Sequence, residues 1–129
     1  MRITAPEMAI VVVLGIACAP PAQASSTYVK TPWGIRCTVT DYDPAEGAPE
    51  AVCEFPRMGN DLAMVGVGGD FRWSEGNIGI GSGATQLNSG QNLTIGTWGI
   101  TVQSDSVKFR SNTTGHGMTV SSDGTASGF

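Results

Sequence analysis

The sequence predicts a small all-β domain, an antiparallel β-sandwich or barrel-like fold with one disulfide, preceded by a cleaved signal peptide. Three observations lead there. Apolar residues recur at every second position in short runs, as a sheet with one buried and one wet face requires. Turn-forming pairs and triplets separate those runs. Two cysteines, Cys37 and Cys53, remain as a pair once the leader and its Cys18 are removed.

In chain order, Trp33, Ile35, Cys37 and Val39 alternate with Gly34, Arg36, Thr38 and Thr40. Ala51, Cys53 and Phe55 alternate with Val52 and Glu54. Phe71 and Trp73 share a face opposite Asp70, Arg72 and Ser74, and Leu93 and Ile95 stand against Asn92 and Thr94. Trp98, Ile100 and Val102 alternate with Thr97, Gly99 and Thr101, Val107 and Phe109 oppose Lys108 and Arg110, and Met118 and Val120 close the series. Between the runs lie Asp43-Pro44, Ala48-Pro49, Phe55-Pro56, Gly59-Asn60-Asp61, Gly68-Gly69-Asp70, Asn88-Ser89-Gly90, Ser104-Asp105 and Asp123-Gly124. This punctuation predicts seven to nine strands of four to seven residues. The stretches Ser25 to Lys30 and Thr125 to Gly128 are expected to fray unless paired. The three tryptophans sit on the apolar side of their runs and are expected mainly in the core.

Residues 1–24 read as a secretory leader. The apolar run from Met8 to Cys18 spans eleven residues, where a membrane-spanning helix needs about twenty. It ends at Pro20-Pro21 and Ala22-Gln23-Ala24, and small residues three and one positions before the scissile bond suit a signal peptidase pocket. Cleavage after Ala24 leaves residues 25–129 as one exported domain. The alternative is a lipoprotein acylated at Cys18. It is disfavoured because Gly15 occupies the position three before the cysteine, where such signals carry an aliphatic residue. Export places Cys37 and Cys53, sixteen positions apart, in an oxidising compartment, where a bridge is worth about 3 kcal/mol. A metal site is the competing use of two cysteines, but the chain has one histidine and no C-x-x-C.

The formal net charge is −4, and the leader's Arg2 and Glu7 cancel, so export leaves it unchanged. The remaining cations, Lys30, Arg36, Arg57, Arg72, Lys108 and Arg110, are scattered and read as solvated surface. Such a balance predicts no nucleic-acid partner and, after cleavage, no stable membrane insertion.

Chemistry-bearing groupings are few. Asp41-Tyr42-Asp43-Pro44-Ala45-Glu46-Gly47 begins like a calcium loop, but Ala45 and Glu46 stand where an EF-hand needs an oxygen ligand and a glycine. A looser calcium site shared with Glu50 is the alternative to a solvated turn. His116 lies in Thr113-Thr114-Gly115-His116-Gly117-Met118, and no serine sits in a G-x-S-x-G elbow. His116 therefore reads as a turn residue bonded locally, with a base oriented by Asp105 or Asp70 as the alternative. The run from Gly76 to Gly83 lacks G-x-G-x-x-G and reads as a loop or bulged edge strand. Asn92-Leu93-Thr94 and Asn112-Thr113-Thr114 match the N-glycosylation pattern, which has meaning only in a eukaryotic secretory route. No catalytic residue, metal ligand or cofactor is assigned.

The second half carries Phe71-Arg72-Trp73, Asn77-Ile78-Gly79, Gly90-Gln91, Trp98-Gly99-Ile100, Phe109, Asn112 and Thr114-Gly115-His116-Gly117-Met118-Thr119-Val120-Ser121. In these segments the chain resembles a family of small secreted proteins from mycobacteria and related actinobacteria, with Gly-His-Gly-Met the most specific element. It departs from that pattern between Gly79 and Gln86, where it is richer in glycine. The resemblance implies actinobacterial export and a two-cysteine N-terminal half, and it brings no reaction and no site residues.

Two classes of function follow. One is a secreted or envelope-associated, non-enzymatic module that binds a protein or glycan partner of unknown identity. The other is a small-ligand carrier or hydrolase-like enzyme centred on His116. The surroundings of His116 in the fold discriminate between them.

Overall fold

A computed structural model describes residues 26–41, 49–56, 61–78 and 83–129. The proposed leader with Cys18, most of the acidic stretch after Asp41, and the centre of the glycine-rich run lie outside the described residues. The described chain is all β. Its strands, in order, are β1 (Ser26–Lys30), β2 (Arg36–Thr40), β3 (Glu50–Phe55), β4 (Asp61–Gly66), β5 (Phe71–Glu75), β6 (Thr85–Gln86), β7 (Asn92–Ile95), β8 (Trp98–Val102), β9 (Ser106–Ser111), β10 (Gly117–Ser121) and β11 (Ala126–Gly128).

Two sheets form. The N-terminal one has the order β5-β4-β3-β2-β1-β6 and the C-terminal one the order β11-β10-β9-β8-β7. In each, strands consecutive in the chain pair antiparallel with one another. The exception is β6, which returns to pair parallel with β1, Val29 opposite Thr85 and Lys30 opposite Gln86. The Gln86 side-chain amide donates to the carbonyls of Lys30, Thr31 and Leu87, which fastens this short strand.

The two sheets face each other as a sandwich. Val29, Cys37, Val39, Ala51, Cys53, Ala63 and Val65 of one meet Trp98, Ile100, Val102, Val107, Phe109, Met118 and Val120 of the other in a continuous core. Trp98 is fully buried, and its indole N–H donates to the carbonyl of Thr40 across the interface at 3.4 Å. Cys37 and Cys53 are bonded to each other and are register partners on β2 and β3, with Cα atoms 4.0 Å apart.

Several expectations need correction. There are eleven strands among the described residues, not seven to nine. The two chain-end stretches, expected to fray unless paired, are paired: they supply β1 and β11, held by β2, β6 and β10. Asp61, read as the end of a turn, opens β4, whose Leu62, Ala63 and Val65 are core. β3 does not present a wet face: all six residues are buried, Glu50 and Glu54 included. Both carboxylates are neutralised in place, Glu54 by Arg36 at 2.9 Å and Glu50 by Arg72 at 2.7 Å. Trp73 is not core. It is 41% exposed on edge strand β5, its ring 5.7 Å from Phe55 and 6.1 Å from Phe71. Trp33 lies in the turn before β2 and packs, partly buried, on the core margin.

Candidate binding face

Because β8, β9 and β10 bury alternate residues, their intervening side chains all emerge on the outer face of the C-terminal sheet. One cross-strand row there is Asn92, Thr101, Lys108, Thr119 and Ser127. The adjacent row is Thr94, Gly99, Arg110 and Gly117. The face is therefore hydroxyl, amide and cation, without a large apolar side chain in either row.

The face is hollowed rather than flat. A depression of about 350 Å³ lies between Asn92, Thr94, Gly99, Lys108, Arg110 and Asn112. Across Thr101 and Lys108 it adjoins a second hollow of about 300 Å³ that reaches Gln103, Ser106 and Thr119. A third, of about 450 Å³, continues to Asp105, Ser122 and Asp123. The trough thus runs from a cationic end to an acidic one.

Glycine shapes the cationic end. Gly99 and Gly117 are the register neighbours of Arg110 on either side. The Asn112 side chain lies over Gly99, since a Cβ there would stand 3.1 Å from its Oδ1. At Gly115, which has φ +84°, a Cβ would meet the Arg110 guanidinium at 3.3 Å. Of these glycines, Gly115 lies directly against the guanidinium, while the space at Gly99 is taken by the Asn112 amide and a Cβ at Gly117 would meet the β9 main chain at Phe109. Lys108 holds its ammonium 5.6 Å from the ring centroid of Phe129. Among the described residues neither cation has a carboxylate within ion-pair distance, whereas Arg36 and Arg72 are both paired.

At the acidic end, the Asp123 carboxylate accepts from the Thr125 hydroxyl at 2.7 Å and from its backbone N–H at 3.0 Å. These bonds, the hydroxyl's first, hold Asp123 below its ordinary pKa of 3.8. Asp123 closes the β10–β11 turn.

His116 lies outside this trough. It is exposed, in the β9–β10 connection, with its Nδ1 3.2 Å from the main-chain oxygen of Phe129 and its own N–H donating to Thr114 Oγ1. Its ring rests on Gly69 of the opposite sheet, where a Cβ would come within 2.7 Å of the imidazole. Beside it the Thr114 hydroxyl donates to the carbonyl of Val67 at 2.6 Å. Only the main-chain bond to Thr114 is local; the ring reaches Phe129 and Gly69, and the segment joins the β4–β5 turn of one sheet to the β9–β10 turn of the other. Asp70 pairs with Arg72 instead of His116, and Asp105 lies at the far end of the trough.

Asp41 and Glu50, the described members of the calcium alternative, are engaged elsewhere. Asp41 accepts from the Thr97 N–H at 2.9 Å, closing the β7–β8 turn, and Glu50 bonds Arg72. The trough itself was missed in the sequence. Its hydroxyls are common turn and strand residues, and only the placement of three glycines about one arginine makes them a site. No protein-family model, no curated protein and no solved structure matches the chain.

Proposed function

We propose that this protein is an exported, non-enzymatic binding module of the cell surface or its surroundings, and that the outer face of its C-terminal sheet is the binding face. The carrying observation is the trough: exposed polar side chains on a backbone fixed by a rigid core, with two cations that have no carboxylate partner among the described residues. A disulfide between core positions suits an oxidising compartment. No helix among the described residues is long and apolar enough to cross a membrane. The setting of His116 supports binding over hydrolysis, since its ring nitrogen faces a main-chain oxygen and its ring packs on a glycine.

Two measurements test this reading. N-terminal sequencing of protein recovered outside the cell is expected to begin at Ser25, and a lipid-modified chain beginning at Cys18 would overturn the export route. Immobilised wild type is expected to retain a component of bacterial envelope fractions that the face variant Thr101→Glu/Thr119→Glu does not. Equal retention by both would remove the binding role from this face.

A further inference from the structure

We infer that the ligand of this face is an acidic glycan, whose carboxylate or phosphate group is held by Arg110 and Lys108 while its hydroxyls bond the amides and hydroxyls beside them. The inference rests on the binding role proposed above and names the ligand class.

The argument begins with Arg110. An arginine with side chains on both neighbouring strands is usually fenced in or ion-paired. Here Gly99 and Gly117 stand at those positions and Gly115 lies beside the guanidinium. Arg110 is exposed and has no carboxylate partner among the described residues, which suits a planar or tetrahedral anion bound through two parallel N–H donors. Lys108 is two residues away on the same strand and face, so its ammonium borders the same depression. A second, singly directed contact from the ammonium would complete a two-cation clamp. At about 350 Å³ the depression is at the small end of ligand-sized cavities, roughly 300–1,000 Å³.

The rest of the trough selects the kind of molecule that carries the anion. Asn92, Thr94, Thr101, Asn112 and Thr119 both donate and accept, as alcohol-rich ligands require. A nucleic acid would want aromatic side chains for stacking and more cations than two. A protein partner would want a buried aromatic or aliphatic anchor, and neither row offers one. The acidic residues Asp105 and Asp123 lie at the opposite end of the trough, so the anion is expected at the Arg110 end.

Isothermal titration of the exported, oxidised protein tests this with three polymers: polygalacturonate, its methyl ester, and poly(glycerol phosphate). Binding is expected to one or both acidic polymers, weakening steeply between low and physiological salt, with the methyl ester at least tenfold weaker. Polygalacturonate alone would identify a uronate, poly(glycerol phosphate) alone a phosphate, and either supports the clamp. Arg110→Gln is expected to reduce affinity at least tenfold, Arg110→Lys less, and Lys108→Gln by severalfold. Arg110 and Lys108 are exposed, so circular dichroism of these variants should match wild type. Measurable binding of polygalacturonate with equal affinity for its methyl ester, or binding unchanged by Arg110→Gln, overturns the acidic-glycan assignment even where Thr101→Glu/Thr119→Glu still abolishes binding. Failure of all three polymers to bind overturns it too, and retention of an envelope protein by the same face would then preserve the broader role with a different ligand.

Discussion

Replacing Cys37 and Cys53 together by alanine separates what the bridge contributes from what the core contributes around it. The two residues are direct partners on adjacent strands, and both are fully buried. Opening the bridge frees a loop with a sequence separation of 16 in the unfolded chain, worth about 3 kcal/mol in the chain-entropy account. Each truncation also removes one buried heavy atom, adding up to about 1 kcal/mol apiece by analogy with a lost methylene. The expected loss is therefore about 3–5 kcal/mol, a large share of the roughly 5–15 kcal/mol that holds a domain folded.

Urea unfolding followed by tryptophan fluorescence measures it, with Trp98 at the centre of the core as reporter. The slope should rise in the double variant, because an uncrosslinked unfolded chain exposes more surface. Reduced wild type should lie between oxidised wild type and the variant, since it loses the crosslink but keeps the sulfurs. A double variant within about 1 kcal/mol of oxidised wild type would refute the reasoning, as would two free thiols in denatured, unreduced wild type.

Four further outcomes follow from particular contacts. Gly69→Ala should cost at least 1–2 kcal/mol for its φ of +88° alone, and more from contact with the His116 ring; adding His116→Ala should recover the second part, and simple additivity in chemical denaturation would refute the contact. The Asp123 carboxyl should titrate below 3.8 by NMR and move upward in Thr125→Ala; because its folded value is depressed, its contribution is present above the unfolded pKa and is lost as pH falls through the folded one. Thr38→Val should stabilise the protein by about 1 kcal/mol in thermal unfolding, since the Thr38 hydroxyl is buried without a hydrogen-bond partner. Arg36→Ala should cost about 1–3 kcal/mol by leaving the buried Glu54 carboxylate without its partner, while Arg110→Ala should stay within about 0.5 kcal/mol of wild type.

The C-terminal sheet was legible because each of its strands buries one face and wets the other. Trp98, Ile100 and Val102, then Val107 and Phe109, then Met118 and Val120, wrote that alternation plainly, and the structure buries all of them. The N-terminal sheet was less so, for three physical reasons. β3 is buried on both faces, so its period-two signal is false: Glu50 and Glu54 look solvated in sequence and are desolvated ion-pair members in the fold. β4 begins with an aspartate after a Gly-Asn pair, and turn chemistry masked its start. β1 also pairs with β6, Val29 opposite Thr85 and Lys30 opposite Gln86, and a partner so distant in sequence is not reported by local propensity. Leu87, fully buried beside the two-residue strand β6, carries no periodic signal at all. For the candidate face, the sequence showed Lys108 and Arg110 pointing away from the core but not the glycines that border Arg110, because Gly99 and Gly117 reach it through strand register alone.

The outer faces of the two sheets use the same residue types for opposite ends. On the N-terminal sheet, Arg36 and Arg72 lie over β3 and its neighbours and serve Glu54 and Glu50, carboxylates that burial makes costly to leave unpaired. Those arginines are committed to holding the fold. On the C-terminal sheet the central strands are buried on one face only, so no carboxylate is trapped beneath Lys108 and Arg110. Their neighbours are Thr101, Thr119, Gly99 and Gly117, none of which neutralises them. The net charge is −4, so acids are in excess, yet among the described residues none is placed against Lys108 or Arg110, nor against Lys30 on the other sheet. An incoming anion would therefore meet exposed donors that no carboxylate among the described residues engages, so a charge-assisted contact adds to affinity instead of displacing an internal ion pair.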